Sequence, residues 1–228
     1  MKLNGIHIQG AKLTQLSTAP TITYATWDPT FAVAAIYSNG NLTVINNSHN
    51  IQNGAAVASK ALQSTGKWYW EVETIPSATV GIANSTPIVS GTSDGIVGNS
   101  WIHSFGFSSS LGSIRYLNLS QGWPGITVNT EVSFGITYAN DVLMFACDMD
   151  NGALYIGANG SWGTAVPTSG ATKTGAIGTG LSGTVYPAAS MSTAADLGYG
   201  TSGESVVANF GQTAFKYSVP AGYNSGVY

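Results

Sequence analysis

Short stretches of β-branched and aromatic residues run along almost all of this chain, broken every few positions by glycine, proline, asparagine or serine. That is the pattern of many short strands, and helix signals are nearly absent. The spacing predicts strands over residues 41–45, 67–75, 79–83, 101–107, 131–139, 142–148, 154–158, 185–191 and 205–210. The clearest is Lys67-Trp68-Tyr69-Trp70-Glu71-Val72-Glu73-Thr74-Ile75. Side chains alternate along a strand, so Trp68, Trp70 and Val72 share one face while Tyr69, Glu71 and Glu73 share the other. The first face is expected to be buried and the acidic one to be solvated or hydrogen-bonded.

Turn chemistry connects these runs. Ala139-Asn140-Asp141 is tight enough for a hairpin, and Asn151-Gly152 suits a type I′ turn before the strand at 154–158. Asn159-Gly160 repeats the device one strand later. The consequence is a meander of three antiparallel strands. Two long Gly/Ser/Thr stretches, 85–100 and 167–183, interrupt the pattern, and the second has little to bury and is expected to be an exposed loop. Residues 1–20 lack the Trp-rich strand pattern and end at Ala19-Pro20. They are expected to form a docking arm leading into one sandwich domain over residues 21–228, a size at which a single β domain needs no covalent staple.

Composition changes the picture in one respect. Hydrophobic residues make up 43% of the 228 positions, as in a folded domain, but only 7% are Asp, Glu, Lys or Arg. The ordinary share is about 25%. The polar coat must therefore be Ser, Thr, Asn and Gly, which suits proteins outside the cytosol or inside large assemblies. A net charge of −3 with no basic run excludes nucleic acid as an expected partner. No stretch approaches the length of a membrane helix, so membrane insertion is not expected. Residues 1–10 lack the continuous apolar core of a secretory signal. Cys147 is the single cysteine; it sits in the apolar run 142–147 and reads as a buried, inert thiol.

The motifs then line up with a known family. Gly66-Lys67-Trp68-Tyr69-Trp70-Glu71-Val72 resembles the Gly-Lys-Trp-Tyr-Trp-Glu-Val strand of SPRY domains. Val80-Gly81-Ile82-Ala83 is similar to a second strand of that family. Asp148-Met149-Asp150-Asn151-Gly152-Ala153-Leu154-Tyr155-Ile156, followed by Asn159-Gly160-Ser161-Trp162, resembles its Asp-x-x-x-Gly-x-Leu hairpin. Tyr186-Pro187-Ala188-Ala189-Ser190 and Asn209-Phe210-Gly211, with Phe215 and Pro220-Ala221-Gly222-Tyr223, resemble the closing strands. Thr26-Trp27-Asp28-Pro29 and Gly40-Asn41-Leu42-Thr43 are similar to the opening of the versions found in bacteriophage tail and virion proteins. The resemblance spans roughly residues 26–223. It implies an all-β, two-sheet antiparallel sandwich of the concanavalin A-like jelly-roll kind, related in architecture to legume lectins and glucanases. It also implies recognition through loops, without naming a ligand.

Candidate chemistry is sparse. Glu71 and Glu73 stand about 6–7 Å apart along one strand face, within the range of paired carboxylates in glycoside hydrolysis. The glucanases of this architecture carry a Glu-x-Asp-x-Glu strand, however, and Ile75 stands where the next acid would be. Asp148-Met149-Asp150-Asn151-Gly152 has the opening of a calcium loop without its later bidentate Glu, and a hairpin explains it without metal. His7, His49 and His103 are scattered, no nucleophile elbow is present, and no Gly-rich stretch leads into a phosphate-binding helix. No catalytic residue, metal or cofactor is expected. For recognition the candidates are Trp123, in the turn sequence Gln121-Gly122-Trp123-Pro124-Gly125, together with Tyr116, Tyr199 and the chain's one arginine, Arg115.

The expected protein is a non-catalytic structural component of a bacteriophage virion, a tail fibre or receptor-binding subunit. A head decoration or cement subunit is the alternative, and a glycan-active enzyme on the same sandwich is the rival from another class. Its expected partners are other virion proteins, further copies of itself in a homotrimer, and a host-surface glycan or protein.

Overall fold

The aromatic strand read from the sequence becomes the spine of the molecule, with paired strands on both sides and buried side chains on both faces. The computed structural model describes residues 21–31, 35–46, 54–74, 78–83, 104–108, 115–117, 127–128, 141–191 and 205–228. Residues 1–20, the expected arm, lie outside the described residues, as do the stretch 85–100 and the predicted strand 131–139. The described strands are β1 (Ala35–Ser38), β2 (Thr43–Asn46), β3 (Gly54–Val57), β4 (Lys67–Thr74), β5 (Ala78–Ala83), β6 (Ser104–Ser108), β7 (Arg115–Leu117), β8 (Thr127–Val128), β9 (Asp141–Asp148), β10 (Ala153–Ala158), β11 (Gly178–Thr179), β12 (Tyr186–Met191), β13 (Ser205–Asn209) and β14 (Asn224–Ser225).

They form two sheets. The larger runs β1-β2-β13-β4-β9-β10-β11-β8, and the smaller runs β3-β12-β5-β6-β7. Every pairing along these paths is antiparallel; only β14 runs parallel, lying beside Trp68 and Tyr69 where β13 has not yet begun to pair with β4. No described helix is long and apolar enough to cross a membrane.

The sheets close over one core. Trp68, Trp70 and Val72 face inward with Phe145, Leu154 and Ile156, against Ala56, Val80 and Ile82 of the smaller sheet. Trp70 and Phe145 are register partners across β4 and β9, with ring planes 4° apart and centroids 5.0 Å apart. Such aromatic cross-strand pairs stabilise a sheet beyond their burial. Trp27 plugs one end. It bridges to Ala58 after β3, donates its indole N–H to the Leu42 carbonyl at 3.0 Å, and meets Phe210 edge-on at 5.2 Å. The opening and closing motifs of the resemblance thus meet in the core.

Two turn expectations need correction. Register places Asp148 opposite Ala153, so the β9–β10 connection is a four-residue loop, and in it Gly152 has positive φ whereas Asn151 does not. A type I′ turn needs positive φ at both central residues. Asn159-Gly160 meets that need, with φ of 50° and 84°, and Ala158 and Ser161 exchange backbone hydrogen bonds across it. The stretch 167–183 is not a free loop either. Pro167 starts a 3-10 turn (Pro167–Thr172), β11 pairs with both β10 and β8, and Ala176, Ile177 and Leu181 are buried. Glycine supplies the backbone turns there, while the few apolar side chains reach the sheet.

Candidate functional site

The acidic face of β4 is where sequence and structure diverge most. Tyr69 and Glu71 are buried, and only Glu73 is exposed. What covers them is the C-terminal strap, residues 211–219, which crosses the outer face of the larger sheet. Phe215 meets the Tyr69 ring edge-on at 4.8 Å, and Trp162 meets it from the hairpin side at 6.4 Å. Tyr217 lies over the Asn159-Gly160 turn so closely that a Cβ on Gly160 would stand 2.9 Å from its ring.

Glu71 is the latch beneath this strap. Its carboxylate accepts the Lys216 N–H at 2.8 Å on Oε2, and on Oε1 the Tyr217 N–H at 2.8 Å and the Tyr69 hydroxyl at 2.7 Å. With 4% exposure and three donors converging on it, the group satisfies backbone that would otherwise be buried without partners. The expected solvated or hydrogen-bonded face thus divides, Glu71 being hydrogen-bonded and structural and Glu73 exposed, and what differs from the expectation is the burial of Tyr69 and Glu71. Asn209 holds the base of the strap, its Nδ2 donating to the Thr213 and Ala214 carbonyls and its Oδ1 accepting the Gly211 N–H.

Asp148 does similar work in the hairpin. It accepts the Asn151 N–H at 3.0 Å and the Asn151 side-chain amide at 2.9 Å, and it pairs with Lys67 at 3.0 Å. Asp150 turns outward to accept the Gly66 N–H at 2.7 Å. Among the described residues no group of three or more His, Cys, Asp or Glu could hold a metal ion.

Beside the strap lies an open cleft of about 320 Å³. Its floor is the row Val207–Glu73–Val142, side by side across β13, β4 and β9. Leu42 and Asn39 of the β1–β2 turn form one wall; Thr213, Ala214 and Lys216 of the strap form the other. Of this cleft the sequence reading singled out only Glu73 (with Glu71 behind it), and no spacing rule links Leu42, Glu73 and Lys216. The candidates for recognition lie elsewhere. Arg115 and Tyr116 belong to β7, paired with Ser108 and Phe107 at the end of the smaller sheet, and so stand on a strand and not on a loop. Trp123 and Tyr199 lie outside the described residues.

Burial sets the protonation of several acids. It pushes the Tyr37 hydroxyl up to about 12, with Asp28 adding to the effect. Burial also raises Tyr69 well above its ordinary range, reinforced by the Glu71 hydrogen bond, and raises Tyr223 and the Cys147 thiol, each with Asp148 contributing. Cys147 is buried and held as the neutral thiol, as the sequence suggested. The sign of the linkage is fixed: each group is neutral in the fold and ionises more readily in the unfolded chain. Their contribution is fully present below the unfolded values of about 8.5 for Cys and 10 for Tyr, and it is lost as pH rises toward the folded ones. The urea midpoint should therefore hold near neutral pH and fall from about pH 9 upward. A midpoint unchanged to about pH 11 would contradict the burial of these groups.

No protein-family model and no curated protein sequence matches the chain. Solved structures do. The SPRY domain of human HERC1 is similar with a TM-score of 0.54 at 15% identity, covering 82% of this chain and 99% of that one. The PSpry domain of TRIM65 is similar with a TM-score of 0.51 at 15% identity, covering 82% of this chain and 92% of that one. Together with the two antiparallel sheets, these likenesses show that the chain is an all-β sandwich with the SPRY-domain fold.

Proposed function

We propose that this protein is a non-catalytic binding and assembly module of a bacteriophage virion, serving as a tail fibre or receptor-binding component. The observation that carries the non-catalytic part is the state of Glu71. Glycoside hydrolysis needs two carboxylates free to flank a scissile bond. Here one of the two adjacent acids is buried under the strap and already accepts three hydrogen bonds. An open cleft in which the Glu73 carboxylate makes no hydrogen bond or ion pair to a described residue is equipped to bind. The virion setting is supported by the 7% charge content, the Ser/Thr/Asn/Gly coat and the similarity of Thr26-Trp27-Asp28-Pro29 to virion versions of the fold. Its partners in this reading are other virion proteins, copies of itself in a homotrimer, and a host-surface glycan or protein.

Glu71→Gln would disturb the strap, so Glu73→Gln is the variant that tests catalysis cleanly. Purified protein should release no reducing ends from bacterial or plant polysaccharides, and Glu73→Gln should behave identically. Cleavage lost in that variant would replace the binding reading with an enzymatic one. Antibodies raised against the domain should label virion tails, whereas labelling confined to heads would favour a decoration role and no labelling of particles would remove the virion setting.

A further inference from the structure

The cleft beside the strap carries a more specific inference, which rests on the binding-module reading. Glu73 lies between Val207 and Val142 on the cleft floor and is exposed, and its carboxylate makes no hydrogen bond or ion pair to any described residue. Beside it stand the aliphatic side chains of Val207 and Val142 on the sheet and Ala214 on the strap, and no aromatic ring is among the described lining residues. The volume of about 320 Å³ is near the lower limit of small-ligand pockets, about 300 Å³.

We propose that this cleft docks a lysine side chain presented by a partner protein, with Glu73 as its counter-ion. A lysine joins an apolar four-carbon stem to a compact ammonium, and it settles where the stem can lie on aliphatic surface while the head meets a charge. The cleft offers that combination. A sugar ring gains much of its affinity from stacking on an aromatic face, and the described lining residues provide none. Charge agrees in sign: Glu73 and Glu71 outweigh Lys216, the one basic residue among the described lining residues. Lys216, exposed on the strap, opposes a second cation and restricts the fit to a single lysine. The strap thus does two things: its backbone satisfies Glu71, and its Ala214 and Lys216 shape the site around Glu73.

The test uses the full chain, isotope-labelled for amide spectra, and three probes: a capped Ala-Ala-Lys-Ala-Ala peptide, the same peptide acetylated on the lysine Nε, and a methyl hexoside. The lysine peptide should give saturable shifts at Leu42, Val207 and Ala214, and the acetylated peptide and the hexoside should not. Glu73→Gln, with its other amides unmoved, should weaken the lysine peptide about tenfold, the loss expected for one charge-assisted hydrogen bond. Equal affinity in Glu73→Gln, saturation by the hexoside in place of the lysine peptide, or no saturable shift with any probe would each overturn the proposal. In any of those cases, continued binding of the protein to virion or host-surface partners would leave the binding-module reading standing.

Discussion

Glu71→Ala should lower the unfolding free energy by about 3–5 kcal/mol, because it strips the acceptor from three donors at once. Hydrogen bonds to a charged group contribute about 1.5–3 kcal/mol each, and partial rehydration of the strap brings the total below the simple sum of three. Glu71→Gln keeps one oxygen but turns an amide N–H₂ toward a backbone N–H, so it should lose roughly half as much. The local readout is sharper than the global one. Amide exchange at Lys216 and Tyr217 should accelerate far more than at Phe145 or Leu154 in the core, since the latch fails before the sandwich does. A loss below about 1 kcal/mol with those two amides still protected would mean that Phe215 and Tyr217 hold the strap by packing alone.

The contrast between Trp70 and Glu71 explains how much of the fold was legible. Strands β4, β5, β9, β10, β12 and β13 fall within one residue of their sequence-predicted limits, because each buries a face and alternation is then strictly enforced. Strand β2 begins later than expected because Asn41, with φ of 64°, belongs to the turn. Strands β1, β3, β7, β8, β11 and β14 went unread. They are short, and the last three are residue pairs such as Gly178–Thr179 whose conformation comes from the neighbour they join. The buried half of the acidic face was unreadable for a related reason: its cover comes from residues 145 and 146 positions away. Alternation shows which side chains share a face but not what lies on it.

The same distinction separates fold from site. Asp148 closes the hairpin, Asn209 anchors the strap, Trp27 meets Phe210 in the core, and the Tyr223 hydroxyl donates to the Pro167 carbonyl at 2.8 Å. Each belongs to a motif that resembled the SPRY family, and each serves the framework. Framework residues are constrained by their own neighbours, which is why they were recognisable in one sequence. Glu73 and Lys216 of the cleft are brought together only by the path of the strap, which no motif in the sequence specifies. Arg115 and Tyr116, candidates for a recognition expected to run through loops, belong instead to strand β7, paired with β6.

Trp70→Ala is expected to be as costly as the loss of Glu71, by a different route. The side chain is 1% exposed, stacks on Phe145 across β4 and β9, and occupies the core shared by the two sheets. Truncating a buried tryptophan costs about 3–5 kcal/mol, from lost transfer energy and from the cavity that rigid neighbours cannot fill. In a domain of this size that lowers the melting temperature by about 2–4 °C per kcal/mol. Trp70→Phe keeps a ring in register with Phe145 and should retain most of the stability. Pairing Trp70→Ala with Phe145→Ala should cost less than the two single losses added, by about 0.5–1.5 kcal/mol, since the ring–ring term disappears only once. Glu71→Ala acts on the opposite face of the same strand, so with Trp70→Ala it should come closer to additivity than the Trp70–Phe145 pair. Denaturant midpoints of the singles and doubles measure both relations. A Trp70→Ala loss below about 1.5 kcal/mol would mean that the sheets close over some other set of side chains, and the Trp68-Trp70-Val72 face would no longer account for the fold.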